Sequence, residues 1–99
     1  WMREGFMARS AFFIAVTGRV QGVGFRAFVR RRATELGLDG WVRNRRDGSV
    51  EIMAIGDPEQ VDQLVEQSTG GPTLAKVEEI TVRGTEDDGT TGFHERPTA

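Results

Sequence analysis

The chain has no cysteine, a single histidine (His94), and no apolar run approaching the ~20 residues that a membrane-spanning helix needs. The lack of cysteine excludes a disulfide framework, a thiol nucleophile and a thiolate metal site, and it fits a reducing cytoplasm, the expected location. One histidine cannot supply a metal-ligand cluster, and no paired carboxylates stand at an obvious spacing near the glycine-rich stretch described below. No metal and no cofactor are therefore expected. His94 lies in the tail and reads as an exposed strand residue rather than a base. The opening decapeptide, Trp1 to Ser10, has no signal-peptide apolar region, and no membrane partner is expected. Trp1 stands ahead of Met2, so residues 1–10 are set aside as an N-terminal extension outside the core.

What is present is one small domain, residues 11–99, with a monomer as the default at this size. The composition is 37% hydrophobic and 28% charged, in the range of globular chains. Charge is unevenly spread. Up to Gly48 ten arginines face four acids, whereas from Ser49 three bases face eleven acids, leaving −2 overall. Two oppositely charged solvated faces would explain this, and so would a basic mouth that draws in anions.

The densest signal is Thr17-Gly18-Arg19-Val20-Gln21-Gly22-Val23-Gly24-Phe25-Arg26. It lies between an apolar run, Phe12 to Val16, and a helical pattern, so it reads as a strand-to-helix loop. Its glycines let the backbone take positive φ and turn N–H groups inward. At a helix N-terminus such groups form an anion site. Arg26, in the first turn, carries a fork of donors suited to two phosphate oxygens. A phosphate or carboxylate is the expected ligand.

In chain order, Ala11 to Thr17 reads as a central strand. Phe25, Phe28, Val29, Ala33 and Leu36 form a helical stripe that Gly37 stops. Gly40 to Asn44 begins a second strand, Asp47-Gly48 signals a hairpin, and Val50, Ile52 and Ala54 give a third strand with one buried face. Asp57-Pro58-Glu59-Gln60 starts a helix that Gly70-Gly71-Pro72 ends. Leu74 to Arg83 is a fourth strand whose apolar phase slips once, as at a bulge. Gly84 to Gly92 is expected to be a mobile polar loop, and Phe93 to Arg96 a short edge strand. The fold class is therefore α+β: a two-layer α/β sandwich of ferredoxin-like, split β-α-β order (β-α-β-β-α-β) with a mostly antiparallel sheet.

Rival motifs fit poorly. Gly22-x-Gly24-x-x-Ala27 meets a relaxed dinucleotide fingerprint, but the chain is too short for two mononucleotide-binding halves. The loop lacks the Gly-Lys-Ser/Thr ending of a P-loop. An RNA-binding motif fails at Gln21, Val23 and Arg26 and would sit on an inner strand rather than a loop, so no nucleic-acid partner is expected. Asn44 is either a turn former before Asp47-Gly48 or, given the topology, an amide brought near the loop to orient a water. Phosphoryl transfer without metal or strong base needs a leaving group that departs unaided. Acyl phosphates meet that demand, because the departing carboxylate is a weak base.

The residues from Gly18 to Arg26, followed by Gly40-Trp41-Val42-Arg43-Asn44, then Asp47-Gly48-Ser49-Val50-Glu51, Gly71-Pro72 and Ala75-Lys76-Val77, resemble the acylphosphatase pattern. The likeness runs from about Phe12 to Val82 with an echo in Phe93 to Thr98. It implies metal-free hydrolysis of a small-molecule acyl phosphate to a carboxylate and inorganic phosphate. By the resemblance Arg26 binds the phosphoryl group and Asn44 holds the attacking water. The N–H groups of Arg19, Val20, Gln21, Gly22, Val23 and Gly24 line the phosphate cradle, and Gly18 shapes its entrance. Arg45 departs from a common Thr, which puts the orientation of Asn44 in question, and Glu95 replaces a usual apolar residue, which suggests a loose edge. The alternative is an accessory binding module. Hydrogenase-maturation carbamoyltransferase proteins begin with such a domain, in longer chains with zinc-finger-like cysteines.

Overall fold

The computed structural model describes residues 9–99; the extension assigned to residues 1–10 lies outside the described residues up to residue 8. The elements run β1 (Ser10–Arg19), α1 (Phe25–Glu35), β2 (Asp39–Asn44), β3 (Val50–Gly56), α2 (Pro58–Gly70), β4 (Lys76–Thr85) and β5 (Phe93–Arg96). The strands form one sheet in the order β4-β1-β3-β2-β5, antiparallel throughout except for β5 on β2. Each helix thus joins two parallel strands that have a third strand between them, the split β-α-β arrangement. The first strand begins at Ser10, inside the span set aside as extension. Arg9 is also tied in, pairing with Asp39 and Asp87.

The helical stripe buries as expected: Phe25, Phe28, Val29 and Ala33 face the sheet, meeting Ile14, Val16, Val42, Ile52 and Ala54. Gly37 ends α1 with φ 74°, and the Leu38 N–H reaches back to Ala33 O at 2.9 Å. Asp57 caps α2, accepting from the Glu59 N–H at 2.9 Å with Pro58 in the first turn.

The expected bulge is present. Thr17 pairs with Glu79 and Gly18 with Val77, so Glu78 is the extra residue on β4. Two expectations need correction. The third strand is buried on both faces: Met53 and Ile55 pack with Ala11, Phe13 and Trp41 on the side away from the helices. The segment from 86 to 92 is pinned rather than free. The Asp87 carboxylate accepts from Arg9, and Asp88 accepts from the Trp41 indole N–H at 3.0 Å.

Candidate active site

The loop from Val20 to Gly24 leads into α1 through Gly24, whose φ of 80° is the left-handed turn that a side chain would resist. No side chain caps this helix and no acid stands in its first turn. Its first N–H groups, at the positive end of the helix dipole, therefore have no side-chain acceptor among the described residues. They open on a cleft of about 150 Å³ lined by Val20, Gly22, Gly24, Phe25, Arg26, Ala27, Asn44 and Glu95. That is below the ~300 Å³ at which drug-sized ligands are accommodated, so the cleft suits a small group.

Arg26 rises from the first turn, partly exposed, with one long hydrogen bond to Arg96 O at 3.4 Å. No carboxylate among the described residues pairs with it, whereas Arg9, Arg30, Arg32, Arg43 and Arg45 all have acidic partners. Much of the N-terminal arginine excess is thus taken up in surface pairs, and Arg26 is the cation left facing the cleft. Across from it, at the end of β2, Asn44 Oδ1 is buried and finds no hydrogen-bond partner among the described residues. An orphaned buried acceptor costs about 1–3 kcal/mol; Arg32 Nε and Ser68 Oγ are orphaned too, and of the three residues Asn44 alone lines the cleft.

The loop is fixed to the opposite wall by Gln21. Its Nε2 donates to Arg45 O at 2.7 Å and to Ser49 O at 2.8 Å. Both carbonyls belong to the β2–β3 hairpin, so this amide sets the distance between the loop and Asn44. The Arg45 guanidinium is taken up by Glu51 Oε2 at 2.9 Å and is not part of the cleft wall.

Of the residues named from sequence, Val20, Gly22, Gly24, Arg26 and Asn44 come together on the cleft. Gly18, Arg19, Gln21 and Val23 do not line it. Gly18 sits at the β1–β4 bulge, where a Cβ would lie 2.2 Å from Lys76 O, so strand packing alone requires a glycine there. Arg19 is the exposed last residue of β1, and Val23 packs against the core. Sequence reasoning missed Gln21 as a side-chain anchor and Glu95 as a cleft residue. The edge at Glu95 is not left loose. Arg30 Nε holds its carboxylate at 3.0 Å, and β5 lies parallel to β2, which brings Glu95 alongside Val42. The Glu-for-apolar departure was the available signal.

The molecule is a two-layer α+β domain with a small polar cleft at the start of its first helix. It belongs to the acylphosphatase family, whose family model matches residues 12–95. It is similar to the acylphosphatase of Thermococcus kodakarensis, 46% identical over 87 residues that take in 88% of this chain and 96% of that one. Among solved structures, an acylphosphatase from Coxiella burnetii superposes with a TM-score of 0.89 at 34% identity, over 96% of this chain and all (100%) of that one. Full-length HypF in a phosphate- and nucleotide-bound form matches 96% of this chain at TM-score 0.86 and 30% identity. The match takes in 13% of that much longer chain.

Proposed function

We propose that the chain hydrolyses acyl phosphates, with Arg26 and the N–H groups at the start of α1 holding the phosphoryl oxygens and Asn44 holding the water. The observation that carries this reading is the pairing, on one small cleft, of a cation and a buried amide oxygen that, among the described residues, have no carboxylate partner and no donor. The Asn44 amide turns its oxygen to the cleft and accepts one O–H of the water, whose lone pair is then aimed at phosphorus. The phosphorus–acyl oxygen bond breaks as the phosphorus–water bond forms. The carboxylate leaves with the bonding pair, and the water's proton passes to a phosphoryl oxygen. One acyl phosphate dianion and one water thus give a carboxylate and dihydrogen phosphate. In a loose transition state the negative charge stays on the phosphoryl oxygens, where the donors are, so placement and electrostatics supply the catalysis.

The test is hydrolysis of benzoyl phosphate in the presence of a chelator by wild type, Arg26→Ala and Asn44→Ala. Wild type turns the substrate over, and each variant, folded by circular dichroism, loses activity by about a hundredfold or more, as expected for removing a preorganised group. Inorganic phosphate inhibits competitively at constant ionic strength, because product and substrate share the cradle. The match to part of the HypF chain favours a second reading, a binding module that keeps the loop without turnover. A folded wild type that binds phosphate but leaves benzoyl phosphate intact would select it.

A further inference from the structure

A carboxylate on the wall of an anion cleft opposes the ligand. Glu95 is such a group: it lines the cleft with Arg26 and Asn44, and its side chain is 34% exposed, which puts it at the mouth rather than the floor. Its partner is Arg30 Nε, 3.0 Å from Oε2. Arg30 lies one helical turn beyond Arg26 and is itself half exposed, with no place on the cleft wall. The pair is therefore a dipole with its negative end toward the cleft. At the floor the helix N-terminus and Arg26 attract a phosphoryl group. At the mouth, which anything larger than that group must occupy, the local charge is negative.

We propose that Glu95 sets the charge selectivity of the cleft, weakening its hold on free phosphate and disfavouring acyl phosphates whose acyl part carries a second carboxylate. This rests on the reading of the cleft as a phosphoryl site. Unit charges a few ångströms apart in solvent-wetted surroundings interact by about 1 kcal/mol, roughly a fivefold change in affinity, and the effect fades at high ionic strength.

The experiment is calorimetric titration of inorganic phosphate into wild type, Glu95→Gln, Glu95→Asp, Arg30→Gln and Arg26→Ala at low salt. It is paired with the ratio of kcat/KM for succinyl phosphate over benzoyl phosphate. Glu95→Gln tightens phosphate by roughly threefold to tenfold and moves the ratio toward succinyl phosphate by a similar factor. Glu95→Asp keeps both near wild type. Arg30→Gln acts in the opposite direction, weakening phosphate, because it leaves the Glu95 charge uncompensated. A merely structural salt bridge would make Glu95→Gln and Arg30→Gln shift binding the same way, and that result overturns the proposal. If Arg26→Ala abolishes phosphate binding while Glu95→Gln leaves binding and ratio unchanged, the phosphoryl site stands and the role of Glu95 falls. Phosphate binding that no variant alters removes the phosphoryl site itself, and the proposal with it.

Discussion

At the residue scale, function and stability pull against each other at Asn44. Its Oδ1 is buried without a hydrogen-bond partner among the described residues, a cost that the proposed water-holding role would explain. Asn44→Ala is therefore expected to leave stability unchanged or raise it by about 0.5–1 kcal/mol while activity collapses. Urea unfolding beside the benzoyl phosphate assay reads both, and a large loss of stability would mean that the amide is a structural group. Gln21 makes the opposite case. Its two hydrogen bonds to hairpin carbonyls hold the loop against the wall that carries Asn44. Gln21→Ala is expected to cost about 1–2 kcal/mol and to lower kcat by roughly tenfold through misplacement alone. Gln21→Glu is expected to be worse than Ala on both counts, since a carboxylate sets lone pairs against the two carbonyl oxygens. Equal stability of the two variants would show that the amide donors are not what secures the loop.

At the element scale, local chemistry made much of the fold readable. The stripe of Phe25, Phe28, Val29 and Ala33 has the period of a helix, and Asp57-Pro58 is a start signal that works through its own neighbours, so both helices follow from short stretches. The phase slip near Val77 and Ile80 matches the bulge at Glu78. What could not be read depends on partners far along the chain. Met53 and Ile55 look like the solvent face of an alternating strand, and they are buried because Phe13 and Trp41 cover them. Glu95 meets Arg30 across 65 residues of sequence, through a strand pairing that no local pattern announces. Gly18 is the sharpest example, since by the resemblance it shapes the entrance of the cradle. Its φ is 123°, and a Cβ added there would come within 2.2 Å of Lys76 O, which places it where β1 presses on the bulged strand. Gly18→Ala is accordingly expected to destabilise by about 2–4 kcal/mol through backbone strain and overpacking. Phosphate affinity of the fraction that stays folded should change little. Thermal melts with and without phosphate separate the two effects, and a variant of normal Tm that has lost phosphate binding would return Gly18 to the site.

At the scale of the whole molecule, the sheet face away from the helices is closed by charge rather than by a third layer. Arg9 joins Asp39 and Asp87, the Trp41 indole donates to Asp88, and the guanidiniums of Arg43 and Arg96 lie 4.8 Å and 5.2 Å from the Trp41 ring. The Thr90 hydroxyl and then the Trp41 N–H hold the Asp88 carboxyl down to about 2, and Arg9, followed by the Gly89 N–H, lowers that of Asp87. A carboxyl whose value in the folded state lies below its ordinary value near 4 binds protons more readily when unfolded. Its contribution is full above about pH 4 and is lost as the pH falls from about 4 toward 2. Both groups are largely exposed, so solvent screening leaves only a fraction of the ideal linkage energy. The expected outcome is a steeper fall of Tm between about pH 4 and 2 in wild type than in Asp88→Asn, with the two curves converging at the acid end. At about pH 7 the variant should melt a few degrees lower, because the Asn keeps one acceptor for Trp41 but loses the charge that favours it. Parallel curves across this range would mean that Asp88 binds its proton equally in both states, and that the clasp over Trp41 rests on packing and the arginines alone.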